Sequence, residues 1–282
     1  MKSDVRTKKW TNLSRWARAL ALFVLFGVRP GPSAGAADLF DPPEELLARG
    51  IQVREHRVNG IEVLEIVLGR VDFDARLPLV MRLHGRASDW QLPSGSYANV
   101  EAPYRLIVPR GPLKVGKGRA WAKLSVRSGK AAQLEDEISA SADRLVEVLR
   151  HFRTLRKSVG EPIVTGFSQG GMVALAMAVR HPEAVGTVLP IASHLVVDVD
   201  EARLLGARLP TVHALHGAAD SIVVPGPAAE ARDRLRAAGF VSTLTVVPEV
   251  GHALEGEMAE AHRRLLTEAI RAAAGARFDF GA

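Results

Sequence analysis

Ile163-Val164-Thr165-Gly166-Phe167-Ser168-Gln169-Gly170-Gly171-Met172-Val173-Ala174 is the stretch whose reading decides the fold. Ile163, Val164 and Thr165 are all β-branched, which predicts a short buried strand. Gly170 to Arg180 is strongly apolar and ends at His181-Pro182, which predicts a helix. Between them, Gly166-Phe167-Ser168-Gln169-Gly170 fits Gly-x-Ser-x-Gly. On a sharp strand-to-helix turn that pattern lifts the serine Oγ above the sheet. The glycines remove Cβ atoms that would collide with neighbouring backbone. Ser168 also stands at a helix N-terminus, where free N–H groups and the dipole favour a developing negative charge. A glycine-rich turn with a capping serine is the plainer alternative. The flanking strand and helix favour a nucleophile.

Working outward, the same alternation recurs. Downstream, Val185 to Ile191, Thr211 to Leu215 and Leu244 to Val247 are strand-like, and Ala228 to Ala238 and Gly256 to Ala274 are helical. Upstream, Leu79 to Leu83 and Leu106 to Val108 are strands. Leu134, Ile138, Leu145, Val148, Leu149 and Phe152 lie at helical spacing between Leu134 and Leu155. Val53 to Val58 and Ile61 to Leu68 flank Asn59-Gly60, a pair suited to the positive φ angles of a type I′ hairpin. The sum is an α/β domain over residues 38–282. It has a mostly parallel sheet, an N-terminal antiparallel hairpin and helices on both faces. The 19 residues from Ala192 to Pro210 are too few for a large cap domain.

A serine hydroxyl is a weak nucleophile and needs a histidine base oriented by a carboxylate. On such a sheet the partners follow the serine in the order acid, then histidine, at later strand ends. Asp220 follows the Thr211–Leu215 strand and His252 follows Leu244–Val247. Asp198 and Asp200, after the preceding strand, compete for the acid position. The oxyanion hole needs two backbone N–H groups. One is expected from Gln169 and the other from the loop after Leu83-His84-Gly85, which makes Arg86 the candidate. His194, Trp90 and Trp121 are candidates for the substrate pocket, whereas His84, His181 and His216 have structural readings.

These residues together resemble the phospholipase/carboxylesterase family of the α/β-hydrolase superfamily, which includes acyl-protein thioesterases. The likeness is carried by Gly166-Phe167-Ser168-Gln169-Gly170-Gly171, Leu83-His84-Gly85, Val108-Pro109-Arg110-Gly111-Pro112 and Ala120-Trp121. His216-Gly217-x-x-Asp220-x-x-Val223 and Gly251-His252 complete it. The resemblance implies a Ser168–His252–Asp220 triad, oxyanion N–H groups from Gln169 and Arg86, and hydrolysis of carboxylic esters. Two departures are visible. Arg86 to Pro103 contains Ser88, Pro93, Ser94, Gly95 and Ser96 and supports no full helix, so this pocket wall is expected to be short. Asp220 is followed by Ser221 where the family has proline. Secreted polyester depolymerases and feruloyl esterases are the nearest alternative, followed by a peptidase or a catalytically silent binding protein on the same fold.

Composition bounds the setting. The 282 residues are 47% apolar and 24% charged, enough for one large core. With no cysteine, disulfides and thiolate chemistry are excluded. The basic leader Lys2, Arg6, Lys8, Lys9, Arg15 and Arg18 precedes the apolar run Ala19 to Val28. Pro30, Pro32 and the small residues Ser33 to Ala37 follow. That order predicts a signal peptide over residues 1–36 with Ala34-x-Ala36 as its cleavage site, hence a periplasmic or extracellular protein. Residues 1–36 contain seven Lys/Arg and one acid, so the whole formal excess of +6 lies there. The remaining chain is balanced. Nucleic-acid binding loses its support, and no stable membrane association is expected after processing. No His-Glu-x-x-His metal motif or glycine-rich nucleotide loop is present, so no cofactor is expected. The expected partner is a small or polymeric ester.

Overall fold

A computed structural model describes residues 50–199 and 206–275. The expected leader and Asp200 lie outside the described residues. Strands β1 (Gln52–Val58) and β2 (Ile61–Leu68) form the expected hairpin, with Asn59 and Gly60 at φ 49° and 79°. Then come β3 (Pro78–Leu83), the single turn α1 (Gly95–Ala98), β4 (Tyr104–Pro109), and a small hairpin of β5 (Leu113–Val115) and β6 (Gly118–Ala120). Helix α2 (Ala131–Arg156) leads to β7 (Val159–Phe167), α3 (Gln169–Arg180) and β8 (Thr187–Ile191). Strand β9 (Thr211–Gly217), α4 (Gly226–Ala237), β10 (Ser242–Val247) and α5 (Gly256–Ala274) complete the domain.

Eight strands form one sheet in the order β1-β2-β4-β3-β7-β8-β9-β10. Strand β2 runs antiparallel to both β1 and β4, and the pairs from β4 through β10 are parallel. This is the α/β-hydrolase fold. Strand β7 is longer than Ile163-Val164-Thr165 alone predicts. Its flanks include Gly160, Pro162 and Gly166, residues depleted in strands, but β3 and β8 pair with it on either side. The β5–β6 hairpin was not read from the sequence, because three-residue strands are too short to show a periodicity.

The pleat sends alternate residues of the central strands to opposite faces. Leu79, Met81, Leu83 and Val164 join one buried cluster with α2, α3 and α4. Val80 and Ile163 join the other with Tyr97 of α1 and Leu266 and Ile270 of α5. Helix α3 is buried from Gln169 to Val179, which explains why its sequence is apolar on every face. Helix α1 is one turn long, as the serine- and glycine-rich wall predicts. Among the described residues no helix is long and apolar enough to cross a membrane.

Candidate active site

Strand β7 delivers the chain to Ser168 at its C-terminal end, the edge where parallel sheets present their ligands. Ser168 stands before the first turn of α3 with φ 53° and ψ −117°. Non-glycine residues avoid that region unless the surroundings impose it. Here the Ser168 N–H donates to the Ile191 carbonyl at 2.8 Å, and its carbonyl accepts from Gly171 and Met172. The flanking glycines are required by close approach. A Cβ on Gly166 would stand 2.3 Å from the Gly170 carbonyl oxygen, and one on Gly170 would stand 2.3 Å from that of Leu83.

Asp220 and His252 reach Ser168 from the ends of β9 and β10. The two loops are stitched together: Ala218 N–H donates to Val247 O and Ala219 N–H to Val250 O, each at 2.9 Å. Ser168 Oγ lies 3.0 Å from His252 Nε2, and His252 Nδ1 lies 2.7 Å from Asp220 Oδ2. Asp220 is buried, and its other oxygen accepts the N–H groups of Ile222 and Val223 at 2.9 Å each. Burial alone would raise its pKa. The hydrogen bonds from His252, Val223 and Ile222 outweigh burial and hold the carboxyl below its usual range. An ionised Asp220 only accepts, so His252 Nδ1 carries the proton and Nε2 is free to accept from Ser168. The His216 Nε2–H donates to Val223 O at 2.6 Å and faces Asp220 Oδ2 at 3.4 Å, bracing the acid loop.

Asp198, the competing acid, has a side chain 92% exposed and paired with Arg234, so it takes no part in this chain of contacts. Gln169 and Arg86 flank the serine. A Cβ on Gly85 would stand 3.6 Å from Ser168 Cβ, so the β3 loop lies against the turn that carries Ser168. Among the described residues neither the Arg86 nor the Gln169 N–H has a protein acceptor.

The pocket candidates fare differently. Trp121 is corrected: it is 2% exposed, with Nε1–H donating to the His84 carbonyl at 2.8 Å and its ring 4.8 Å from the His84 ring. Its indole is thereby fastened to the end of β3. Trp90 is half-buried and carries the Arg110 guanidinium 5.1 Å from its ring centre. His194 is half-buried after β8; burial first, then the neighbouring His216, lower its pKa.

Two contributions escaped the sequence. Phe167, the residue before the serine, sets its ring 4.8 Å from that of His252. The Gln169 side chain is buried and holds the segment after β6. Its oxygen accepts from the N–H groups of Trp121 and Ala122, and its amide donates to the carbonyls of Ala122 and Leu124. No local pattern could announce either, because their partners lie 45 or more residues away in sequence. Among the described residues no group of three or more His, Asp or Glu side chains is placed to hold a metal ion.

The profile of the Phospholipase/Carboxylesterase family matches residues 76–269. Lysophospholipase-like protein 1 of Mus musculus is 28% identical over 157 residues, 52% of this chain and 62% of that protein, so the chain spans under two thirds of that relative. Esterase YpfH of Escherichia coli (strain K12) is 25% identical over 185 residues, 63% of this chain and 76% of that protein. Among solved structures, the carboxylesterase from Mesorhizobium loti superposes with a TM-score of 0.62 at 17% identity, covering 75% of this chain and 98% of its own. Esterase PE8 gives 0.57 at 22% identity, covering 70% and 94%. At those identities the superpositions speak for the fold.

Proposed function

This chain belongs to the phospholipase/carboxylesterase family, and from that premise we propose that it is a serine esterase that hydrolyses carboxylic esters through an acyl-enzyme on Ser168. The observation that carries this proposal is the continuous run Ser168 Oγ to His252 to Asp220, at 3.0 and 2.7 Å. In the first half-reaction Ser168 Oγ attacks the ester carbonyl carbon while His252 Nε2 takes its proton. Asp220 holds the tautomer and stabilises the imidazolium that forms. The carbonyl oxygen becomes an oxyanion, for which the unpaired N–H groups of Gln169 and Arg86 are the donors. Collapse expels the alcohol, which takes the proton back from His252. Water, deprotonated by the same imidazole, then attacks the acyl carbon and releases the acid and free Ser168.

The loop after β3, the single turn α1 and the short connection between β8 and β9 favour an open cleft and accessible esters over a deeply enclosed ligand. A fluorophosphonate probe and a short-chain aryl ester test the proposal together. Labelling should fall on Ser168, and Ser168→Ala should abolish turnover while circular dichroism stays unchanged. Substantial residual hydrolysis by that variant would overturn the assignment. Turnover confined to amides would instead make the protein a peptidase.

A further inference from the structure

Residues 111–130 hold Lys114, Lys117, Arg119, Lys123, Arg127 and Lys130, and not one Asp or Glu. Arg119 is half-buried and the other five are exposed. Among the described residues no carboxylate lies within ion-pair distance of any of the six. Neighbouring acids are engaged elsewhere: Glu62 and Asp89 pair with Arg110, and Asp198 pairs with Arg234. At the start of α2, Glu137 accepts the N–H groups of Lys123 and Leu124, and Glu135 accepts that of Asp198. Asp136 beside them is exposed. Because residues 37–282 are balanced overall, this run is a local concentration and not a reflection of composition.

The fold wraps the run around the candidate active site at three points. The Gln169 amide, next to Ser168, holds the backbone of residues 121–124. The Arg127 guanidinium donates to the carbonyl of Ser221, next to Asp220, at 2.9 Å. The β5–β6 hairpin lies on the loop that carries Arg86, with Arg119 N–H donating to Ser88 O and the Arg86 guanidinium to Lys123 O. The cations therefore sit on a frame fastened to the nucleophile, acid and β3 loops. Charges of one sign along a cleft raise the local concentration of the opposite charge, and these side chains have no ion pair to break when an anion arrives.

We infer that this basic rim selects esters bearing a second, negatively charged group, a carboxylate or phosphate, on the part of the substrate that emerges from the cleft. The inference rests on the esterase reading of Ser168. It is tested with aryl esters of matched length ending in a carboxylate, a phosphate or a neutral methyl group. At low salt kcat/KM should favour the anionic esters by about tenfold or more, and the preference should collapse as added salt shortens the Debye length. The triple variant Lys114→Glu, Lys117→Glu, Lys123→Glu, with its fold checked by circular dichroism, should lower the anionic-to-neutral ratio about tenfold. The carboxylate and phosphate arms show which anion the rim takes. A ratio near one in the wild type, or one unmoved in the triple variant, overturns the rim and leaves the esterase standing. No turnover of any ester and no probe on Ser168 overturns the esterase and the rim with it. Rim-dependent sedimentation with phosphatidylglycerol vesicles beside an unmoved ester ratio would make the surface a membrane contact, which also overturns the inference.

Discussion

Ser168 holds a backbone conformation that costs on the order of 1–3 kcal/mol for a non-glycine residue. The bond from its N–H to Ile191 and the two glycine contacts hold it there, so its Oγ meets His252 without searching. Asp220 shows how environment assigns a role. Burial opposes its charge, three hydrogen bonds overcome that opposition, and the ionised oxygen then dictates which His252 nitrogen carries the proton. Asp220→Asn keeps the shape and loses the dictation. Its kcat on an aryl ester should fall by about four orders of magnitude with circular dichroism unchanged, and a drop under tenfold would remove Asp220 from the role. Ser168 and His252 were legible from order and strand-end position, whereas Asp220 shared the acid position with Asp198 until the structure set it against His252. The Gln169 side chain was not legible, since a glutamine after the serine says nothing of the backbone groups it will meet.

Among the elements, the β1–β2 hairpin and the end of α2 meet over a buried charge cluster. Glu65 of β2 is fully buried between Arg105 of β4 and Arg156 of α2, with His56 of β1 at 2.7 Å. Phe73 lies among the guanidiniums of Arg54, Arg105 and Arg156. Burial would raise the Glu65 pKa, but the hydrogen bonds from His56 and Arg156 and the charges of Arg105 and Arg156 lower it from 4.5 to about 2. A carboxylate lowered on folding stabilises above its unfolded pKa, and the contribution is lost as pH falls from about 4.5 toward about 2. That contribution amounts to about 3 kcal/mol. Urea unfolding of the wild type should therefore show falling stability below about pH 4.5. Glu65→Gln should be less stable at neutral pH by about 3–5 kcal/mol, since it strands Arg105, and should show a flatter acid limb. Parallel curves for the two proteins would refute this account. The strands and helices here were visible as periodicities. The cluster was not, because Arg105 and Arg156 lie 40 and 91 residues from Glu65 in sequence and only the fold brings them to it.

At the scale of the whole molecule, positive charge is concentrated in two places, and the rest of the chain carries the compensating acidic excess. One is the leader, for which we propose export and removal after Ala36. Intact-mass analysis of the protein from a periplasmic or culture fraction should show the loss of residues 1–36, and a full-length mass there would refute cleavage. The other is the run over residues 111–130, which by sequence alone is merely polar and basic. Its meaning comes from the three tethers that bring it beside Ser168, Asp220 and Arg86.

By itself the sequence determined the alternation of strands and helices, the serine turn, and the order in which acid and histidine follow it. Those are local properties, set by the spacing of apolar side chains and by where glycine is tolerated. Only the tertiary structure decided that Asp220 and not Asp198 faces His252, that the Trp121 indole bonds to the His84 carbonyl, and that residues 119–127 are tied to Gln169, Ser88 and Ser221. Each of these depends on contacts between residues far apart in the chain. Such contacts are fixed by how eight strands order themselves in one sheet, and no window of sequence contains that order.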